Sequence, residues 1–284
     1  MRKPTTFITL LCVLIASMLA TSAAWSQAPS QTLPLTPGAK YVSLGSSFAA
    51  GPGIDNSLGS CGRSDHNYAH LIADALSLDL TVVSCNGATI FNVLSVPQGD
   101  NPLQIDAVTS DTALVTVTIG GNNIRYTAST FACSGASTSD RCSANLDQTA
   151  IAAAVARLPA QLGAMFDAIK AKAPNAVIVL VTYPRVFLED ATNCSELELT
   201  ERDTIYLAEL GRQLEAAFIS ATANGQALIA DAYVGAQGHG PCEADVSERW
   251  VNGQNVASSG IRFHPTAEGH AEMARLVLEV LGQN

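Results

Sequence analysis

The sequence predicts an α/β fold of three layers, with helices on both faces of a central parallel sheet of about five strands. Three observations predict it. Short apolar runs alternate with longer stretches of helical periodicity. Their strand–helix–strand spacing is that of βαβ units. The run Ala113–Ile119 is β-branched and apolar throughout, as a strand covered on both faces has to be.

Each element has its own signal. Tyr41–Leu44 is a short apolar run and the first expected strand. Asn67–Leu76 reads as a helix and Leu80–Val83 as the second strand; Ala113–Ile119 is the third. Asp147–Lys172 is Ala-rich, and Leu158, Leu162, Phe166 and Ile169 recur at helical spacing along one face. Pro159 is expected to break or kink that helix, because it has no N–H to donate. Ala176–Val181 is the fourth strand. Leu199–Ala221 is a long helix with Leu207, Leu210, Leu214 and Phe218 on one side. Ala227–Ala230 is the last strand. Thr266–Leu281 closes the chain as a helix, with Met273, Leu276, Val277 and Val280 toward the core. Thr127–Asn145 and Ala232–Ser259 read as long loops, and long ordered loops often carry function.

The ends and the composition bound the setting. Arg2 and Lys3, the apolar run from Phe7 to Ala20, and the small residues Ser22, Ala23 and Ala24 have the layout of a secretory signal peptide, residues 1–24. The apolar run is short for a membrane span. Residues 25–38, with Pro29, Pro34 and Pro37, read as an extended tether. Residues 39–284 are the expected domain, and no later segment looks long and apolar enough to span a membrane. The net charge of −10 argues against a nucleic-acid partner, which needs clustered Lys and Arg. Without Cys12 of the leader, six cysteines remain: Cys61, Cys85, Cys133, Cys142, Cys194 and Cys242. An even number in an exported chain points to disulfides, and the sequence leaves their pairing open. Spacings typical of structural zinc sites are absent from the sequence, and no metal is expected.

In open parallel sheets, ligands bind beyond the carboxyl ends of the strands. Four segments there carry candidate chemistry. In Gly45-Ser46-Ser47 a strand ends, glycine permits a tight turn and a serine follows, as a nucleophile requires. In Ser84-Cys85-Asn86-Gly87, a glycine backbone N–H is free of side-chain obstruction. In Gly120-Gly121-Asn122-Asn123, Asn122 offers a side-chain N–H. Such a donor aimed at an oxyanion is worth about 10²–10³ in rate. In Phe263-His264-Pro265-Thr266, a histidine is held at the start of the last helix, where a general base has limited freedom. Taken singly, each segment is also an ordinary turn or cap. His270 reads as structural; His66, His70 and His239 read as surface or packing residues.

The order of these segments resembles the SGNH hydrolases, also called GDSL lipases and esterases. The strings Cys85-x-Gly87-Ala88-Thr89, Tyr183-Pro184 and His264-Pro265-Thr266-x-x-Gly269-His270 are similar to its secreted actinobacterial lipase branch. The resemblance runs from about Lys40 to the C-terminus. It implies an SGNH, flavodoxin-like hydrolase fold. It also implies a serine mechanism without cofactor, with Ser47 as nucleophile and His264 as base, and an oxyanion hole from the Ser47 and Gly87 N–H groups and Asn122. Sequential disulfides are implied too: Cys61–Cys85, Cys133–Cys142 and Cys194–Cys242. The expected protein is a secreted monomer acting on acyl or lipid esters.

Three positions depart from the family pattern. Ser46 stands where an Asp is usual, Asn123 replaces another, and Ile261 occupies the usual place of the acid three residues before His264. A backbone carbonyl can still hold one imidazole tautomer, though it stabilises the imidazolium less well than a carboxylate. The expectation is therefore a Ser47–His264 dyad oriented by the Ile261 carbonyl, with a loop acid such as Asp245 or Glu248 as the other reading. Two further functions compete. One is a polysaccharide O-acetyl esterase, disfavoured because Trp25 and Trp250 are the only tryptophans available as sugar platforms. The other is an inactive exported binding protein, motivated by the missing acids and opposed by the presence of all four site residues.

Overall fold

Five strands pair in parallel in the order β2-β1-β3-β4-β5, with β1 Lys40–Gly45, β2 Asp79–Val82, β3 Thr112–Thr118, β4 Val177–Val181 and β5 Leu228–Ala230. The structure, a computed structural model, describes Met1 and residues 35–135, 142–188, 190 and 192–283. The expected leader and the tether as far as residue 34, apart from Met1, lie outside the described residues.

Nine helices are described: α1 Ser47–Ala50, α2 Tyr68–Leu76, α3 Ile90–Leu94, α4 Tyr126–Cys133, α5 Cys142–Asn145, α6 Gln148–Lys172, α7 Glu201–Thr222, α8 Ala232–Gly235 and α9 Ala267–Val280. They cover both sheet faces. Alternation along β1 sends Tyr41 to one face with Tyr68 and Ile72 of α2 and Met273 and Val277 of α9. It sends Val42 and Leu44 to the other, with Leu158, Leu162 and Phe166 of α6 and Leu207 and Leu214 of α7. All of β3 is buried, because both layers cover it. The three-layer α/β/α arrangement is the one predicted.

Helix starts follow local chemistry. The Asn67 side chain accepts from Ala69 and His70 N–H, Asp147 from Ala150, and Thr266 from Gly269, each satisfying amides that the first turn leaves open. Four expectations need correction. Pro159 lies inside α6 without ending it; packing along α7 and the sheet carries the helix past one missing hydrogen bond. The segment Thr127–Asn145 is not simply a loop: α4 begins at Tyr126, and α5 begins at Cys142. α4 escaped notice because it buries Thr127, Ser129 and Thr130 rather than an apolar stripe. Likewise Ala232–Ser259 holds α8 and a short 3₁₀ turn, Val246–Glu248. Finally, α6 is long and apolar enough, by length and composition, to cross a membrane. Its many alanines raise the mean hydropathy, and its large apolar residues, Leu158, Leu162, Met165, Phe166 and Ile169, are buried in the core.

Candidate active site

The ends of β1, β3 and β4 meet at one edge of the sheet. Gly45 closes β1 with φ +144°, and a Cβ there would lie 2.5 Å from the Thr118 carbonyl oxygen at the end of β3. Only glycine lets these strand ends approach so closely. The chain then turns into α1, whose first residue is Ser47. The Ser47 N–H opens that helix and so has no acceptor within it. Gln104 braces the turn: its Oε1 accepts from Gly45 N–H at 2.8 Å, and its Nε2 donates to the Gly45 carbonyl at 2.9 Å.

Across the edge, His264 Nε2 lies 2.8 Å from Ser47 Oγ. Its Nδ1 lies 2.8 Å from the Arg262 carbonyl oxygen. A carbonyl only accepts, so Nδ1 carries the proton and Nε2 accepts from the serine hydroxyl. The orienting carbonyl is that of Arg262, not the expected one of Ile261. The reason is local backbone shape. Ile261 O accepts the His264 backbone N–H at 3.2 Å, closing a turn. Phe263 adopts φ +55°, which sets Arg262 O beside the ring. The two alternative acids sit elsewhere: Asp245 caps the turn at Ser247, and Glu248 lies 3.8 Å from His239 Nδ1.

His264 and Ser47 are both almost fully buried. Burial pushes the imidazole down to about 4, and the Arg262 carbonyl offsets only part of this. The ring is therefore a neutral base over a wide pH range. Phe48 packs 4.8 Å from it, and Phe131 stacks on it at 5.9 Å.

Gly87 and Asn122 are brought onto the same edge. Gly87 has φ +79°, and the Cys61–Cys85 disulfide anchors its loop. Asn122 Nδ2 donates to the Ala88 carbonyl at 2.9 Å, which ties the two loops together and leaves its second N–H for another acceptor. Asn123, in place of the usual Asp, accepts from Ile90 N–H at 3.1 Å and so caps the start of α3. Ser46, the other substituted position, meets the Tyr183 hydroxyl at 2.8 Å. Tyr183 also accepts from Gly121 N–H at 3.3 Å and packs on Phe48 at 4.0 Å.

All six cysteines pair sequentially: Cys61–Cys85, Cys133–Cys142 and Cys194–Cys242. His270 is buried and accepts from Tyr68 N–H through Nδ1 at 3.1 Å. Gln104, Phe48, Phe131 and the Arg262 carbonyl had no signal in the sequence, since each reaches the site only through tertiary packing. Tyr183 was legible as Tyr-Pro after a strand, but its role was not.

Comparisons with known proteins give the family. The model of the GDSL-like Lipase/Acylhydrolase family matches residues 43–272. Lipase 2 of Streptomyces coelicolor is 31% identical, over 92% of this chain and 91% of its own length. Lipase 1 of the same organism is 32% identical, over 81% and 82%. The crystal structure of the extracellular lipase of Streptomyces rimosus superposes with a TM-score of 0.68 at 29% identity, covering 86% of this chain and 99% of that one. Phospholipase A1 of Streptomyces albidoflavus NA297 also gives 0.68, at 26% identity over 86% and 98%. The chain thus belongs to the GDSL-like lipase/acylhydrolase family and is, with it, a carboxylic ester hydrolase.

Proposed function

We propose that the protein is a secreted serine esterase or lipase that cleaves acyl esters through a covalent intermediate at Ser47. The reading rests on one observation above the others, the 2.8 Å approach of His264 Nε2 to Ser47 Oγ. Ser47 Oγ attacks the ester carbonyl carbon while His264 takes its proton. The carbonyl oxygen, now negative, receives hydrogen bonds from the Ser47 and Gly87 N–H groups and Asn122. The C–O bond then breaks, and His264 gives its proton to the departing alcohol. Water, activated by the same nitrogen, releases the acid and restores the serine. The Arg262 carbonyl keeps Nδ1–H in place throughout, with only a partial charge to offset the imidazolium.

Export is proposed from the basic-apolar-small layout of residues 1–24 together with three disulfides. Acyl esters are favoured over sugar acetates because Trp250 is buried and stacked on His239, so it offers no sugar platform. Hydrolysis of p-nitrophenyl esters from acetate to palmitate, by the mature oxidised protein beside Ser47→Ala, tests the reading. Turnover that disappears in the variant supports it. Absence of turnover on every ester by folded protein overturns it.

A further inference from the structure

The side of the site from which the alcohol departs is set by His264, because that ring protonates the leaving oxygen. This inference rests on the function proposed above. Two side chains extend outward from that ring. Phe131, half-buried, stacks on the His264 ring at 5.9 Å with 23° between planes. The guanidinium of Arg262 lies over the same Phe131 ring, 4.7 Å from its centroid. Arg262 is exposed. Acids that hold cations elsewhere do so at Lys40–Asp111, Lys172–Asp106, Arg212–Glu209, Arg249–Glu196 and Arg275–Glu272. Among the described residues none is paired with Arg262. In a chain of net charge −10 this is a cation beside the reacting edge with no acid paired to it among the described residues. The aromatic ring fixes where the guanidinium fork sits, and leaves its outer N–H groups facing solvent.

We propose that Arg262 determines specificity for the alcohol half of the ester, receiving an anionic phosphate carried on that alcohol. A phosphate oxygen pair matches the planar fork, and a group a few bonds beyond the ester oxygen would cross Phe131 to reach it. The backbone of Arg262 orients the base; its side chain selects the substrate.

The test compares 1-butyryl-glycerol with 1-butyryl-glycerol 3-phosphate, which share an acyl group and are both dissolved. We expect kcat/KM to favour the phosphate ester by about tenfold in the native protein, from one charge-assisted contact. Arg262→Gln should remove that ratio, whatever it does to the absolute rates, and Arg262→Lys should keep most of it. Added salt should erode the ratio, mainly through KM. The palmitoyl pair in mixed micelles separates the sources: a preference found only there assigns the phosphate to a lipid headgroup, and one found with both chains assigns it to phosphorylated alcohols generally. A ratio near unity in the native protein with both the butyryl and the palmitoyl pair, or one unchanged in Arg262→Gln, overturns the inference and leaves ester hydrolysis standing. No turnover on any of these esters removes both.

Discussion

The Tyr183 hydroxyl lies 2.8 Å from Ser46 Oγ and also accepts from Gly121 N–H at 3.3 Å. One buried oxygen therefore bridges the turn that carries Ser47 and the loop that carries Asn122. Ser46 stands where the family pattern has an acid, and a serine–tyrosine pair serves there without charge. Burial pushes the Tyr183 phenol up to about 12, so it stays neutral across the working range. Tyr183→Phe leaves Ser46 Oγ and Gly121 N–H without this partner, which costs about 1–3 kcal/mol. Denaturant unfolding should show that loss. Steady-state kinetics should show a fall mainly in kcat, because nucleophile and oxyanion donor lose their common brace.

The acid limb of activity should lie well below that of a free histidine. His264 is pushed down to about 4 by burial. Its unfolded form, near 6.5, binds a proton that the folded form refuses, so His264 contributes stability that is complete above 6.5 and lost as pH falls toward 4. A kcat/KM profile on a soluble ester from pH 3.5 to 8 should stay flat down to about 5. A midpoint close to 6.5 would contradict a dry, carbonyl-oriented base.

Asp245→Ala and Glu248→Ala should keep kcat within about twofold of the parent, since truncating surface side chains away from the reacting atoms changes little. Asp245 caps Ser247, and Glu248 faces His239. Loss of turnover in either folded variant would restore a loop acid to the mechanism.

Glu215 predicts a pH effect on stability of opposite sign. It is buried on α7, and burial first, then Asp231, raises its carboxyl to about 8. Between its ordinary value and 8 the folded state holds a proton that the unfolded state has released. Stability should therefore fall as pH rises through that window. Thermal unfolding from pH 5 to 9 should show Tm declining in the native protein and declining less in Glu215→Gln, which keeps the neutral shape.

The three disulfides should differ in their effects. Removing Cys61–Cys85 or Cys194–Cys242 by paired serine substitutions should cost about 2–4 kcal/mol each. Only the first anchors the loop that holds Gly87. Its loss should lower kcat in protein that is still folded, whereas loss of Cys194–Cys242 should lower Tm with a smaller change in kcat. Circular dichroism beside ester kinetics separates the two.

The sheet was legible because a parallel strand buried on both faces leaves a mark in its own residues. Thr112–Thr118 and Val177–Val181 are apolar or β-branched whatever surrounds them. The long helices announced themselves by the spacing of their apolar residues. α4 did not, because Thr127, Ser129 and Thr130 stand on its buried side where an apolar stripe would have shown. The passage of α6 through Pro159 was not legible either, since packing from α7 overrides a local preference.

Sequence alone determined that Ser47, Gly87 and Asn122 stand just after strands and His264 just before the last helix, and the order of these segments carried the family resemblance, although each taken singly is an ordinary turn or cap. Tertiary structure decided which carbonyl turns the imidazole: a single residue, Phe263, at φ +55° replaces Ile261 by Arg262. It also decided that Phe131 from α4 stacks on His264 and that Tyr183 from the end of β4 braces Ser46. Backbone angles and contacts between distant segments depend on how layers pack against each other. No residue type carries that information by itself.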